Sequence, residues 1–201
     1  MDEIDFSALL CARLCHDLIS PVSAARNGIA MAIEEKDGAM RAEAMDLTAE
    51  GLADAVDKLR VYRIAYGNPG PATTLAEARK AARGLYSRGR VQIEWSEEGG
   101  DPGPEQVRLL TNLVLLGAES VARGGVVRVA PPGAALTVTA NGGRAALASD
   151  ILAVIEGAPL EEPMTARQIQ AALTCALVRR IGGTLRHESG EGVVSLAVAL
   201  S

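Results

Sequence analysis

The sequence predicts an α+β protein in which an N-terminal two-helix hairpin precedes an α/β sandwich. Three observations carry this. Residues up to about 66 hold two long stretches of helical apolar spacing with no strand pattern between them. The run Gly67-Asn68-Pro69-Gly70-Pro71 then interrupts with residues that stop helices and form turns. Beyond it, strand-like and helix-like segments follow in the order α-β-α-β-β-α-α-β-β, which favours helices on one face of a mixed sheet. The chain divides accordingly into residues 1–68 and 72–201.

In the first part, Asp5 is an N-cap for a helix opening at Phe6 and reaching about residue 33. Its stripe is Leu10, Leu14, Leu18, Val22, Ala25 and Ile29. Pro21 removes one backbone donor and is expected to bend the helix. Residues 34–40 are a polar connector with Gly38 as helix stop. A second helix over about 41–66 carries Met45, Thr48, Leu52, Val56, Leu59 and Tyr62, close to a heptad. Two such helices bury one face each, so a homodimer forming a four-helix bundle would satisfy both stripes. The alternative is a hairpin packed on the rest of its own chain.

In the second part, Thr74 and Glu77 open a helix to about residue 87 as a capping box. A strand over 91–96, a helix over 105–123, and strands over 126–130 and 135–140 joined at Pro131-Pro132-Gly133 come next. Helices over 144–156 and 167–181 follow, the second capped by Thr165 and Gln168 and ended by Gly182-Gly183. Strands over 184–188 and 193–200 meet at Gly190-Glu191-Gly192.

Composition narrows the function. Of 201 residues, 48% are hydrophobic and only 2% aromatic, so Ala, Leu and Val do the packing and base-stacking platforms are scarce. A net charge of −5 lacks the basic balance of a phosphate-backbone binder. Nucleic acid is therefore not an expected partner. Three cysteines, Cys11, Cys15 and Cys175, form no disulfide framework and fit a reducing compartment. The acidic N-terminus is unlike a signal peptide, and no run approaches about 18 unbroken apolar residues. The expectation is a cytoplasmic protein without a membrane partner.

Only two histidines occur, and one opens the segment His16-Asp17-Leu18-Ile19-Ser20-Pro21. At about 100° per residue, His16 lies about 160° from both Leu14 and Leu18, so it projects away from the stripe. Leu9, Arg13, Ser20, Ser23 and Asn27 share its face. Position alone leaves an ordinary surface histidine equally open. Cys11, Cys15 and His16 cannot complete a four-ligand zinc site, because His187 lies in a strand without nearby cysteines. Small core cysteines explain the pair better, and His187 reads as an ordinary strand residue.

The hexapeptide resembles the H-box of sensor histidine kinases, in which a His is followed by an acid and closed by a Pro. The wider pattern resembles the ChpT-type histidine phosphotransferases of alphaproteobacterial two-component relays, which pair a dimerising H-box hairpin with a domain like the kinase ATPase fold. The resemblance implies that His16 is the phosphoacceptor and that Asp17 orients its imidazole, keeping the opposite nitrogen nucleophilic. Response-regulator receiver domains, including that of a hybrid histidine kinase, would be the partners. They would dock on Leu9, Arg13, Ser20, Ser23 and Asn27 and supply the aspartyl phosphate with its Mg²⁺. The chain itself would bind no cofactor or metal.

In kinases of that kind, an Asn in a helix motif ligates Mg²⁺ and an Asp after a strand recognises adenine. Here Asn112-Leu113-Val114-Leu115-Leu116 puts Leu116 at the first position, and Ala140 precedes Asn141-Gly142-Gly143-Arg144 at the second. No Gly-rich lid occurs within 165–181. The negative net charge would further repel a triphosphate. The expected function is phosphoryl relay through phospho-His16 without ATP-dependent kinase activity. An ATP-dependent kinase fragment and a non-catalytic dimeric adaptor remain the alternatives.

Overall fold

The hairpin forms, but a narrower set of residues closes it than the heptad spacing implies. In the computed structural model, which describes residues 3–96, 98, 100, 102–158 and 164–200, α1 spans Glu3–Glu34 and α2 spans Gly38–Tyr66. The first helix starts at Glu3, so Asp5 lies in its first turn, where its charge still complements the helix dipole. Pro21 sits inside a continuous helix. Gly38 opens α2 instead of stopping α1: Asp37 caps the second helix by accepting from the Ala39 and Met40 N–H groups.

Ala25, Gly28 and Ala32 of α1 are buried, as are Ala44, Thr48, Gly51 and Ala55 of α2. A Cβ on Gly28 would lie 2.5 Å from Thr48 Oγ1, and one on Gly51 would lie 2.7 Å from the Pro21 carbonyl oxygen. The backbones therefore approach through small residues. The large apolar members of the expected stripes stay outside this seam: Val22, Ile29, Met45, Leu52, Val56 and Leu59 are exposed, as are Ile19 and Ile33. What the sequence presents as one stripe per helix is two adjacent ones, a small-residue seam within the chain and a second row left open.

The described residues beyond the hairpin build a five-stranded sheet with helices α3 (Leu75–Tyr86), α4 (Pro104–Ser120), α5 (Ser149–Ile155) and α6 (Ala166–Arg180). Its strands are β1 (Val91–Trp95), β2 (Gly125–Val129), β3 (Ala135–Asn141), β4 (Thr184–Gly190) and β5 (Val193–Ala199), in the spatial order β1-β2-β3-β5-β4. Only β1 and β2 pair in parallel. Alternation sets one face: Val127 pairs with Ala140 and Val138 with Leu196, and all four are buried. Fully buried Leu109, Leu113 and Leu116 of α4 belong to the same core. The capping box of α6 forms on Thr165 and Gln168. Helix α5 is shorter than its apolar pattern predicts, because the Ala146 N–H bonds to the Ser120 carbonyl and ties the preceding segment to the end of α4.

The turn after α2 is not a free hinge. Val61, Tyr62, Ile64 and Ala65 join the core of the second part, with Phe6, Leu10 and Leu14 of α1 packed against it. The last carbonyls of α2, which no helical N–H can reach, find donors on α4. Asn112 Nδ2 donates to the Ala65 oxygen at 2.8 Å, and Arg108 donates to Ala65 and Tyr66 at 3.3 Å. Gln170 Nε2 completes Asn112, and the Tyr66 hydroxyl donates to Gln170. By length and composition α1 would suffice to cross a membrane, but its N-terminal half is packed on this core.

Candidate functional site

The proline that closes the hexapeptide shapes the site. Pro21 has no N–H, so the carbonyl of Asp17, four residues earlier, loses its helical donor. The Lys58 ammonium of α2 donates to that oxygen at 3.2 Å and is held in place by Asp54 at 2.9 Å. Both Lys58 and Asp17 are thereby fixed at the same level of the hairpin.

The side chain of His16 is 82% exposed, whereas that of Asp17 is 24% exposed. His16 Nδ1 lies 3.1 Å from Asp17 Oδ1. The tautomer protonated at Nδ1 donates to the carboxylate and leaves Nε2 with a free lone pair facing solvent. The other carboxylate oxygen accepts from the Tyr62 hydroxyl at 2.6 Å and lies 3.7 Å from Arg13 Nε. Burial, reinforced by the bond to Asp17, pushes the Tyr62 hydroxyl well above its ordinary pKa, so it remains a donor.

Arg13 departs from expectation. Helical spacing puts it on the docking face beside His16, but its side chain is 9% exposed and its Nη2 donates to Glu119 Oε1 of α4 at 2.7 Å. Burial opposes its charge, but Tyr66 and Glu119 outweigh that and raise its pKa. Burial raises the Glu119 carboxyl pKa, against the pull of Arg13. Of the other face residues, Ser20 and Asn27 are exposed, and Leu9 and Ser23 are half-buried. Cys11 and Cys15 are exposed on α1, not in the core. His187 lies on β4, 3.5 Å from Glu156. Among the described residues, no group of three or more His, Cys, Asp or Glu side chains is placed to hold a metal ion.

The residues that the sequence reading missed are Tyr62, Lys58 and Glu119. Tyr62 was legible only as the last apolar member of a stripe. The Asp54–Lys58 spacing was readable as a helical ion pair, but its reach to Asp17 was not. In the second domain, Leu116 and Ala140 are both fully buried in the apolar core. Elsewhere in the second domain, Arg123, Arg144 and Arg167 line a cavity of about 300 Å³ together with Glu119 and Leu147. The local charge there is therefore not the repulsive one that net charge alone predicts.

Residues 75–192 match the family model for the histidine phosphotransferase C-terminal domain. The chain is 30% identical to the protein phosphotransferase ChpT of Brucella abortus (strain 2308), over 96% of this chain and 95% of that one. A solved bacterial phosphotransferase superposes with a TM-score of 0.83 at 27% identity, covering 98% of this chain and 97% of its own. The histidine kinase domain of a blue-light activated kinase from Erythrobacter litoralis aligns with a TM-score of 0.45 at 15% identity, over 89% and 95%. With the family model spanning more than half of its length and the relative nearly all of it, this chain belongs to the histidine phosphotransferase family.

Proposed function

We propose that this chain relays a phosphoryl group between response-regulator receiver domains through phospho-His16, as a cytoplasmic homodimer. The observation that carries the reading is an exposed imidazole whose Nδ1 faces a fixed carboxylate at 3.1 Å while Nε2 points to solvent. In the transfer, the Nε2 lone pair attacks the phosphorus of a receiver's aspartyl phosphate. The N–P bond forms as the P–O bond to the aspartate breaks, and that carboxylate leaves with the electron pair. Nδ1 keeps its proton, and Asp17 faces the positive charge that develops on the ring. Mg²⁺ belongs to the receiver. The name of the Brucella relative, a protein phosphotransferase, supports protein partners.

A receiver would dock across Leu9, Ser20, Ser23 and Asn27, which leave space around His16. Arg13 is excluded from that surface by its burial. The open apolar row on each hairpin helix supports dimerisation. Leu116 offers no oxygen to a metal and Ala140 offers no carboxylate to an adenine, and these two positions speak against ATP-dependent kinase activity.

The test is to mix the protein with a phosphorylated receiver and follow acid-labile label. Wild type and His187→Gln should take it up, His16→Gln should not, and Ser23→Arg should block transfer. Label that persists on His16→Gln would overturn the proposal. Label taken from ATP and Mg²⁺ alone would place the protein among the kinases.

A further inference from the structure

We infer that Tyr62 is a positioning residue for His16: with the Arg13–Glu119 pair it holds the Asp17 carboxylate in the orientation that keeps the imidazole proton on Nδ1. The inference rests on the relay reading of His16 and adds to it the residues that set its tautomer.

An aspartate on a helix surface samples several rotamers, and a mobile carboxylate would select a tautomer only part of the time. Here the carboxylate is held from its far side. The Tyr62 hydroxyl donates to Oδ2 at 2.6 Å, a short charge-assisted bond. Its ring is buried and stacked on Tyr66, with centroids 5.0 Å apart and planes 13° from parallel, so the hydroxyl has little freedom to leave. Arg13 stands on the same side, 3.7 Å from Oδ2, with its own fork anchored on Glu119. These contacts occupy Oδ2 and leave Oδ1 turned to His16. A neutral phenol suits this place, because it fixes the carboxylate without cancelling the charge that the ring needs as phosphorus bonds to Nε2.

The anchoring also crosses the chain. Arg13 is on α1, Tyr62 on α2 and Glu119 on α4, so the orientation of Asp17 depends on the second domain staying docked. Without these contacts the proton is free to sit on Nε2, where it blocks the lone pair that must attack. The catalytic role stays with His16, and Tyr62 acts on it only through Asp17.

The experiment uses the full chain with ¹⁵N-labelled histidine. Ring nitrogen shifts and proton couplings report the His16 tautomer, and phosphoramidate serves as a small-molecule donor of the phosphoryl group. Wild type should show His16 predominantly protonated at Nδ1 when neutral. Tyr62→Phe should move the population towards Nε2–H and slow phosphoramidate uptake by about three- to tenfold. Thr111→Val, which removes a buried hydroxyl bonded to the Val107 carbonyl within α4, should change neither. Glu119→Gln, which keeps an acceptor for Arg13 but not the charge, should shift the tautomer in the same direction by less. A Tyr62→Phe protein with unaltered circular dichroism and a wild-type tautomer ratio would overturn the inference. So would a wild type without tautomer preference. Should wild type respond in this way yet accept no label from any phosphorylated receiver, the relay reading fails while the positioning role stands.

Discussion

The Lys58 ammonium donates to the main-chain carbonyl of Asp17 at 3.2 Å, the carbonyl that Pro21 deprives of its helical partner. A gap that proline makes in one helix is thus filled from the next, one residue along from His16. Lys58 is 22% exposed, so the bond is partly shielded from water. Lys58→Met should destabilise the protein by about 1 kcal/mol. In a Pro21→Ala background, residue 21 regains an N–H that can reach the same oxygen, and the cost of Lys58→Met should fall towards zero. A double-mutant cycle by denaturant unfolding measures that coupling. Additive costs would show that the ammonium contributes only through its pairing with Asp54.

Gly51 tests the seam. A Cβ there would meet the Pro21 carbonyl oxygen at 2.7 Å and the Ala25 nitrogen at 2.9 Å, both main-chain atoms of α1 that cannot move alone. Gly51→Ala should therefore cost about 1–3 kcal/mol despite the better helix propensity of alanine. Gly38→Ala, with nothing within 4 Å of the added carbon, should be neutral or slightly stabilising. Thermal midpoints of the two variants decide the matter. Equal midpoints would mean that the helices separate at no cost.

Why this seam escaped the sequence is a matter of size, not of period. Thr48 and Leu52 are one turn apart and satisfy the same spacing, yet the first is buried and the second 51% exposed. Periodicity ranks residues by polarity, and a backbone contact selects them by smallness. Strand boundaries, the α6 cap and the projection of His16 are local properties, so they were legible. The partners of Arg13 were not, because its distance from Glu119 in sequence is 106 residues and a long side chain near a helix surface can turn either way. Tyr62 hid for a related reason: its ring completes an apolar stripe while its hydroxyl serves a carboxylate 45 residues away.

Dimerisation is testable at the open apolar row of α2. Leu52, Val56 and Leu59 follow heptad-like spacing on α2 and are 51%, 43% and 51% exposed in the single chain. Leu18 is half-buried within its own chain and is a poorer probe. Obligate bundle interfaces commonly exceed about 2,000 Å² and are apolar, so a carboxylate at their centre is costly. Leu52→Glu should give a monomer with native helix content in sedimentation equilibrium at micromolar concentration, where wild type should have twice the chain mass. A wild type with the mass of one chain would end the dimer proposal.

High pH should unfold the protein through its tyrosines. The sequence has three, and burial raises the pKa of each: Tyr62 with help from Asp17, Tyr66 against the opposing pull of Arg13, and Tyr86 with help from Glu119. Their neutral forms belong to the fold, so above about pH 10 the unfolded chain releases protons that the folded chain retains. Stability is complete below that pH and falls as pH rises, by up to about 4 kcal/mol per unit when all three take part. A domain holding about 5–15 kcal/mol would then unfold within a few units above pH 10. Tyrosinate absorbance and far-ultraviolet ellipticity, followed on one sample, should change together, because the phenols ionise only as the core opens. Tyrosinate appearing near pH 10 with helix content intact would show that these hydroxyls meet water in the folded state. In that case the Tyr62 bond to Asp17 would be too weakly held to orient His16.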